Sequence, residues 1–202
     1  MPQEHYFSND PSKELKPKTI SVTLAGREVS VLTAGSMFSP DHVDTGTKVL
    51  LENLELAPDN GNILDIGCGW GPITLALAIA RPEATIWAID VNERALELTR
   101  RNAEKLGLTN VRTSLPEAVP SEIEFTGIWS NPPIRVGKAV LHDILKTWLP
   151  RLVVGAESYL VVQKDLGADS LLKWIQENFP NHESYRLETS KSFRVLRVAR
   201  ED

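Results

Sequence analysis

The chain has 202 residues, of which 42% are hydrophobic and 24% charged, enough to bury the core of one ordinary domain. Its net charge of -5 argues against broad electrostatic binding to nucleic acid, although a local basic patch is compatible with it. A single cysteine excludes an internal disulfide. Because no apolar run approaches the ~20 residues that span a bilayer, we expect a cytoplasmic protein that does not bind membranes.

Residues 1–37 are predicted to form an N-terminal arm and a β-hairpin ahead of the main domain. The first 18 residues are polar and aperiodic, which indicates an extended arm and no signal peptide. Between 19 and 33, apolar residues alternate with Thr and Ser on both sides of the turn Ala25-Gly26-Arg27. That pattern predicts a hairpin with one apolar face.

A glycine loop follows the first predicted strand of the main domain. The apolar run at 63–66 indicates a strand, and the run at 73–80 indicates a helix that Pro72 can open. Between them, Gly67, Gly69 and Gly71 allow a sharp turn and a close approach of the backbone to a ligand. The third glycine comes too early for a dinucleotide fingerprint, and no Gly-Lys-Ser/Thr follows, which excludes a P-loop.

Strands and helices then alternate. Further strands are predicted at 85–90, 110–114, 125–130, 158–163, 182–188 and 193–199, and further helices at 48–56, 92–106, 137–149 and 171–179. This order predicts a doubly wound, mostly parallel seven-stranded sheet with an antiparallel edge strand, since the last two strands pair as a hairpin. Ligands bind beyond the carboxyl ends of the strands in such α/β folds.

The glycine loop, Asp90 and Asn131 all fall at these predicted strand ends, and a polar helix cap precedes the loop. Asp90 closes the second strand, about 20 residues beyond the glycine loop, where an acid can hold ribose hydroxyls. Asp44 or Thr45 is the predicted N-cap of the helix at 48–56. Asn131 closes the fourth strand.

The segment Asn131-Pro132-Pro133-Ile134 is the second strong motif. Because proline lacks an N–H, this corner offers hydrogen-bond acceptors and few donors. The Asn131 side-chain oxygen and the Pro132 carbonyl can both accept from one NH₂ group, and would hold an amine or amide. The alternative interpretation is a rigid strand-to-helix turn without chemistry.

Together these motifs resemble the Rossmann-like class I methyltransferases, which use S-adenosylmethionine (SAM) to methylate amino groups. Phe38-Ser39 and Asp44-x-Gly46-Thr47, ahead of the glycine loop, are similar to the "methyltransferase small" family, which includes ribosomal RNA guanine-N2 methyltransferases. The resemblance runs from Phe38 to Ala199 and implies a SAM-dependent methyltransferase domain at 38–202.

The resemblance also implies a role for each matched residue, with SAM as cofactor and no metal. The residues implied to contact SAM are Asp65, Gly67, Cys68, Gly69, Gly71, Asp90, Val91, Ser114, Asn131 and Thr47. Asn131, Pro132 and Pro133 would carry catalysis by holding the target amine, because a sulfonium is already a good leaving group and positioning is what the reaction needs. Phe38, Ile134, Arg135 and Lys138 would contact the substrate.

Three features depart from the family pattern. The residue after the second proline is usually aromatic and can stack on a flipped base, whereas here it is Ile134, so stacking would come from Phe38 or Trp70, or be absent. A polar or acidic residue commonly meets the adenine amino group after the third strand, and here Ser114 would take that role. Well-known guanine-N2 members also carry a second, duplicated domain, whereas we expect only the catalytic domain here. Lys164, Lys191, Arg194 and Arg197 would contact phosphates as well if the fold brings them together.

Three functions remain open from the sequence. The favoured one is methylation of a guanine N2 amine in ribosomal RNA, either free or within a ribosomal subunit. A protein-glutamine N5-methyltransferase could hold its amide at the same corner, but that group usually has Tyr after Pro-Pro and a helical N-terminal domain. An inactive SAM-binding interaction module is the third, and the intact Asn131 argues against it.

Overall fold

The computed structural model describes residues 16–35 and 37–202, so the predicted arm lies almost wholly outside the described residues. The described part of the chain forms nine strands and five α-helices. They are β1 (Lys18–Leu24), β2 (Arg27–Thr33), α1 (Thr45–Leu51), β3 (Gly61–Ile66), α2 (Pro72–Ala80), β4 (Ala84–Ile89), α3 (Glu93–Lys105), β5 (Val111–Ser114), β6 (Phe125–Ser130), α4 (Lys138–Trp148), β7 (Leu152–Gln163), α5 (Ala168–Asn178), β8 (His182–Ser190) and β9 (Phe193–Arg200).

Seven strands form one sheet in the order β5-β4-β3-β6-β7-β9-β8. Strands β3 to β7 pair in parallel, and β9 is antiparallel to both β7 and β8. The predicted doubly wound sheet and its antiparallel edge are therefore confirmed. The edge strand is β8, and β9 returns between it and β7.

Helices cover both faces of this sheet, because alternate strand residues point to opposite sides. On one face, Ile63 of β3 packs with Leu77 of α2 and Leu50 of α1. On the other face, Leu64 packs with Leu145 of α4 and Ile175 of α5. Leu98 of α3 packs in one cluster with Leu75 of α2. Helices α1 to α3 thus lie on one side of the sheet and α4 and α5 on the other.

The predicted hairpin is present and packs on the first of these helical layers. Its two-residue turn places Ala25 at φ 48° and Gly26 at φ 74°, the left-handed pair typical of a tight hairpin. Asn102 of α3 clamps the hairpin, since its side chain both accepts from the Leu32 N–H (2.6 Å) and donates to the Leu32 carbonyl (2.8 Å). The hairpin is therefore built onto α3.

Several boundaries differ from the prediction for local reasons. Helix α1 begins at Thr45 because Asp44 caps it, and it ends at Leu51 before a short 3-10 turn at Leu54–Leu56. Strand β7 starts six residues before the predicted 158, and its pairing with β6 shifts register in the added stretch. Among the described residues, no helix is both long and apolar enough to cross a membrane.

Candidate active site

The site lies where the strand order of the sheet reverses, between β3 and β6. The connections after these two neighbours lead to helices on opposite faces, which opens a crevice at their carboxyl ends. The Ser130 hydroxyl ties the two strand ends together by donating to the Ile66 carbonyl at 2.7 Å, fully buried. A Cβ on Gly67 would stand 3.9 Å from Pro133 Cδ, so the glycine loop and the proline corner adjoin.

The glycine loop is locked to the end of β4. The N–H groups of Gly67 and Cys68 both donate to the Ile89 carbonyl, at 2.9 and 3.0 Å. Gly67, Gly69 and Gly71 all have positive φ, at 77°, 59° and 100°. Left-handed backbone is strained for other residues, so the predicted sharp turn is present and explains why glycine stands at these three positions.

Asp90 lies beside this loop, at the end of β4 where the sequence placed a ribose-binding acid. It is 4% exposed; one carboxylate oxygen accepts from the Gly69 N–H (3.0 Å) and the other from the Asn92 N–H (2.9 Å). The next residue, Val91, is exposed.

Asp65 is fully buried beneath the loop. Its Oδ2 accepts from the backbone N–H (3.0 Å) and the hydroxyl (2.5 Å) of Thr74, in the first turn of α2. Its Oδ1 is buried without a hydrogen-bond partner among the described residues. Burial raises the pKa of Asp65 to about 7, because desolvation outweighs the Thr74 bonds. An unfilled buried acceptor of this kind fits a ligand ammonium group.

Asn131 is held by residues that precede the glycine loop. Its side-chain amide donates to Asp44 Oδ2 (3.0 Å) and to Thr47 Oγ1 (3.1 Å). The same Asp44 oxygen accepts from the N–H groups of Gly46 (2.8 Å) and Thr47 (3.3 Å), so Asp44 caps α1 and Thr45, the other predicted candidate, is its first residue. Because both contacts engage the NH₂ end, the Asn131 carbonyl oxygen Oδ1 is the end turned away from Asp44.

The proline corner makes one bond that the sequence did not predict. The Pro132 carbonyl accepts from the Ile134 N–H at 2.8 Å, and Pro133 between them has φ -74° and ψ 72°. This is an inverse γ-turn. It consumes the Ile134 donor within the turn and leaves the Pro132 carbonyl one further lone pair.

The remaining predicted residues differ in exposure and contacts. Phe38 is 58% exposed, and the carbonyl of the adjoining Ser39 accepts from the Trp70 indole at 3.3 Å. Trp70 itself is 1% exposed, so the expectation that it could stack on a base is wrong. Ser114 ends β5 and donates its hydroxyl to the Leu115 carbonyl (2.9 Å). Lys138 is exposed at the start of α4, whereas the Arg135 side chain lies outside what the structure describes.

The cysteine of the loop and two of the predicted basic residues are engaged within the fold. Cys68 is buried, and burial with the nearby Asp90 and Asp65 charges raises the pKa of its thiol, so it packs as a neutral group. Arg194 pairs with Asp169, and Arg197 pairs with Glu157 and Glu183. These two arginines are therefore neutralised and do not extend a basic patch as the sequence had suggested.

The sequence missed the link between Asp44 and Asn131. From its neighbours in the sequence, Asp44 is predicted only as a helix cap, whereas in the structure it also accepts a hydrogen bond from the distant Asn131 amide. A Cβ on Gly46 would lie 2.8 Å from Phe193 Cε1 and 3.1 Å from Asp44 Oδ2, so a glycine is required for this packing. The Asp44-x-Gly46-Thr47 spacing was the available signal.

Comparison with known proteins agrees with this geometry. The family model described as "Methyltransferase small domain" matches residues 28–197. An uncharacterized Bacillus subtilis protein, YbxB, is 40% identical over 87% of this chain and 89% of its own. Ribosomal RNA small subunit methyltransferase C of Shewanella piezotolerans is 34% identical over 75% of this chain but 44% of its own.

Among solved structures, a 16S rRNA N2 methyltransferase (RsmC) of T. thermophilus, in complex with AdoMet and guanosine, has a TM-score of 0.78 and 25% identity. The match covers 94% of this chain and 52% of that one. The chain thus spans about half the length of the methyltransferases named here.

Proposed function

The chain belongs to the methyltransferase small domain family and is a SAM-dependent methyltransferase, and on that premise we propose that it methylates the exocyclic N2 amine of a guanine in ribosomal RNA. The observation that carries the proposal is the orientation of Asn131, whose amide nitrogen is held by Asp44 and Thr47 beside the glycine loop. The rRNA methyltransferases among its relatives support the choice of substrate.

The residues at the crevice fit SAM, which when bound supplies an electrophilic methyl group on a sulfonium. The unfilled Oδ1 of Asp65 would accept from the ligand ammonium, and Asp90 would accept from the ribose hydroxyls. Gly67 and Gly69 would leave room for the ligand at the loop, since a Cβ on Gly69 would meet nothing within 4 Å. Val91 and Ser114, at the ends of β4 and β5, are proposed to flank the adenosine.

Asn131 and Pro132 would hold the target amine. Two acceptors, Asn131 Oδ1 and the second lone pair of the Pro132 carbonyl, can take both N–H bonds of one NH₂ group. Such a grip fixes the amine plane and leaves one face of the nitrogen for attack. A strong general base is not required if the proton leaves after the methyl group has been transferred.

Two glycine variants separate cofactor binding from folding. Gly71→Ala is expected to destabilise the protein by about 2 kcal/mol or more, because it combines a left-handed φ with a Cβ 3.0 Å from Thr99 Oγ1. Gly69→Ala has open space for its Cβ and should cost only about 1 kcal/mol, but that Cβ would project toward the proposed ligand. Urea unfolding and calorimetric SAM binding measure the two effects. Equal loss of SAM affinity in both variants, at matched folded fraction, would argue against this placement.

A pH experiment tests the burial of Asp65 without any ligand. Its folded pKa of about 7 lies above the ordinary aspartate value of 3.8, so the folded state binds the proton more tightly. The stabilising contribution is full below pH 3.8 and is lost as pH rises to about 7. Relative to wild type, the free energy of unfolding of Asp65→Asn should rise by roughly 4 kcal/mol at most as pH increases across this window. Urea unfolding at a series of pH values measures the difference. Parallel pH profiles for the two proteins would refute the raised pKa of Asp65.

The substrate proposal is tested by transfer of a labelled methyl group from SAM to ribosomal subunits, deproteinised rRNA and extract from cells lacking this protein. We expect label in nuclease-sensitive material, and mapping should place it on a guanine N2. Label only in protein would overturn the RNA assignment in favour of a glutamine amide. SAM binding without turnover on any of these substrates would instead indicate an inactive module.

A further inference from the structure

We propose that one face of α4 is an RNA-binding strip that holds the strand adjoining the target guanine. The α4 strip consists of Lys138, His142 and Lys146, together with Trp174 of α5. The proposal rests on the rRNA substrate proposed above and adds a second contact surface to it. The α4 strip begins at Lys138, four residues after Ile134, the last residue of the proline corner.

The spacing of the strip aligns its members. Lys138, His142 and Lys146 follow one another at four-residue steps and so lie along one side of the helix. With a rise of 1.5 Å per residue, the two lysines are about 12 Å apart along the axis. That length matches about three nucleotides of a stacked strand at ~3.4 Å each.

An aromatic pair lies between the two lysines. The His142 ring stacks on the Trp174 indole with centroids 3.7 Å apart and planes within 4°. Lys146 Nζ lies 5.9 Å from the same indole. Partial burial, together with the charges of Lys146 and Lys138, lowers the pKa of His142, which favours the neutral ring at pH 7. Cations flanking an aromatic surface are the usual means of binding single-stranded RNA.

A cavity joins this pair to the proline corner. It has a volume of about 170 Å³ and is lined by Ile134, Lys138, His142, Leu166 and Trp174, among others. Pockets for whole small-molecule ligands are larger, about 300 Å³ or more, so this one suits the edge of a single ring. Because Ile134 belongs to both features, a strand leaving the corner would reach the cavity first.

The charges on and beside the α4 strip favour a polyanion such as RNA over a basic peptide. Among residues 16–35 and 37–202, no ion pair occupies Lys138 or Lys146. The acids of α5 are partly offset, since Asp169 pairs with Arg194 and Glu177 with Lys173. Asp143 is the acid next to the strip on α4 itself. In a chain of net charge -5, these two lysines form a local basic patch.

The test compares Lys146→Gln with Lys105→Gln. Each lysine is exposed and lies in the last turn of its helix, so the two variants lose the same charge and the same helix-dipole contact. Lys105, on α3, lies on the opposite face of the sheet. Filter binding to deproteinised small-subunit rRNA at several salt concentrations, and the KM for methylation of that RNA, are the readouts.

We expect Lys146→Gln to bind rRNA about 3- to 10-fold more weakly, with a shallower salt dependence by roughly one phosphate contact, and to raise KM in proportion. Lys105→Gln should match wild type in both. Equal behaviour of the two variants, whether both unchanged or both weakened, would overturn the strip while rRNA methylation by the wild type persists. Absence of rRNA methylation by the wild type would instead overturn the proposed function on which the strip rests.

Discussion

Replacing Asn131 with Ala is expected to lower methyl transfer by about 10²-fold or more while SAM affinity stays nearly unchanged. The variant removes the acceptor that would align the target amine, and misalignment of a reacting atom by about 1 Å already costs that much. Asn131 is half-buried and its amide bonds are confined to Asp44 and Thr47, so the glycine loop should keep its shape. Single-turnover rates on rRNA and calorimetric SAM binding measure the two quantities.

Asn131→Asp is the matched comparison. It keeps an acceptor of the same size but replaces the NH₂ donor with a second carboxylate oxygen, about 3.0 Å from Asp44 Oδ2. Like charges at that distance repel, so we expect the new aspartate side chain to rotate away from Asp44. The rate of methyl transfer should then fall as well. If Asn131 only shapes the turn, the alanine variant will retain wild-type turnover, and this result would contradict the proposed role.

The second large effect is expected at Asp44, which we propose to be a positioning residue. Asp44→Ser should lower kcat by about 10- to 100-fold with little change in KM, because serine can cap α1 but its shorter side chain falls short of the Asn131 amide. Asp44→Ala should add a loss of about 1 kcal/mol in the free energy of unfolding, from the missing cap. Steady-state kinetics on rRNA and urea unfolding separate the two losses.

Asp44→Asn provides the rescue. Its side-chain oxygen can still accept from Gly46, Thr47 and Asn131, so most of the turnover should return. A purely structural Asp44 would show kcat following stability through all three variants. A serine variant as active as wild type would therefore exclude the positioning role.

The sequence alone predicted the parts of this protein that depend on local rules. Apolar periodicity placed the strands, and the strand order confirmed the doubly wound sheet. Glycines at 67, 69 and 71 predicted the sharp loop, because glycine adopts the left-handed backbone that this loop has at all three positions. Asp44 was one of two predicted helix caps, with Thr45, because capping depends on residues only two and three positions away.

Only the tertiary structure decided what depends on contacts between distant residues. The bond from Asn131 to Asp44 joins positions 87 residues apart, and it arises because β6 ends where α1 begins on the same edge of the sheet. Trp70 could not be excluded as a stacking residue until its burial was known, nor could Arg194 and Arg197 as a basic patch until their carboxylate partners were seen. Burial and pairing are set by packing across the sheet, which no short stretch of sequence encodes.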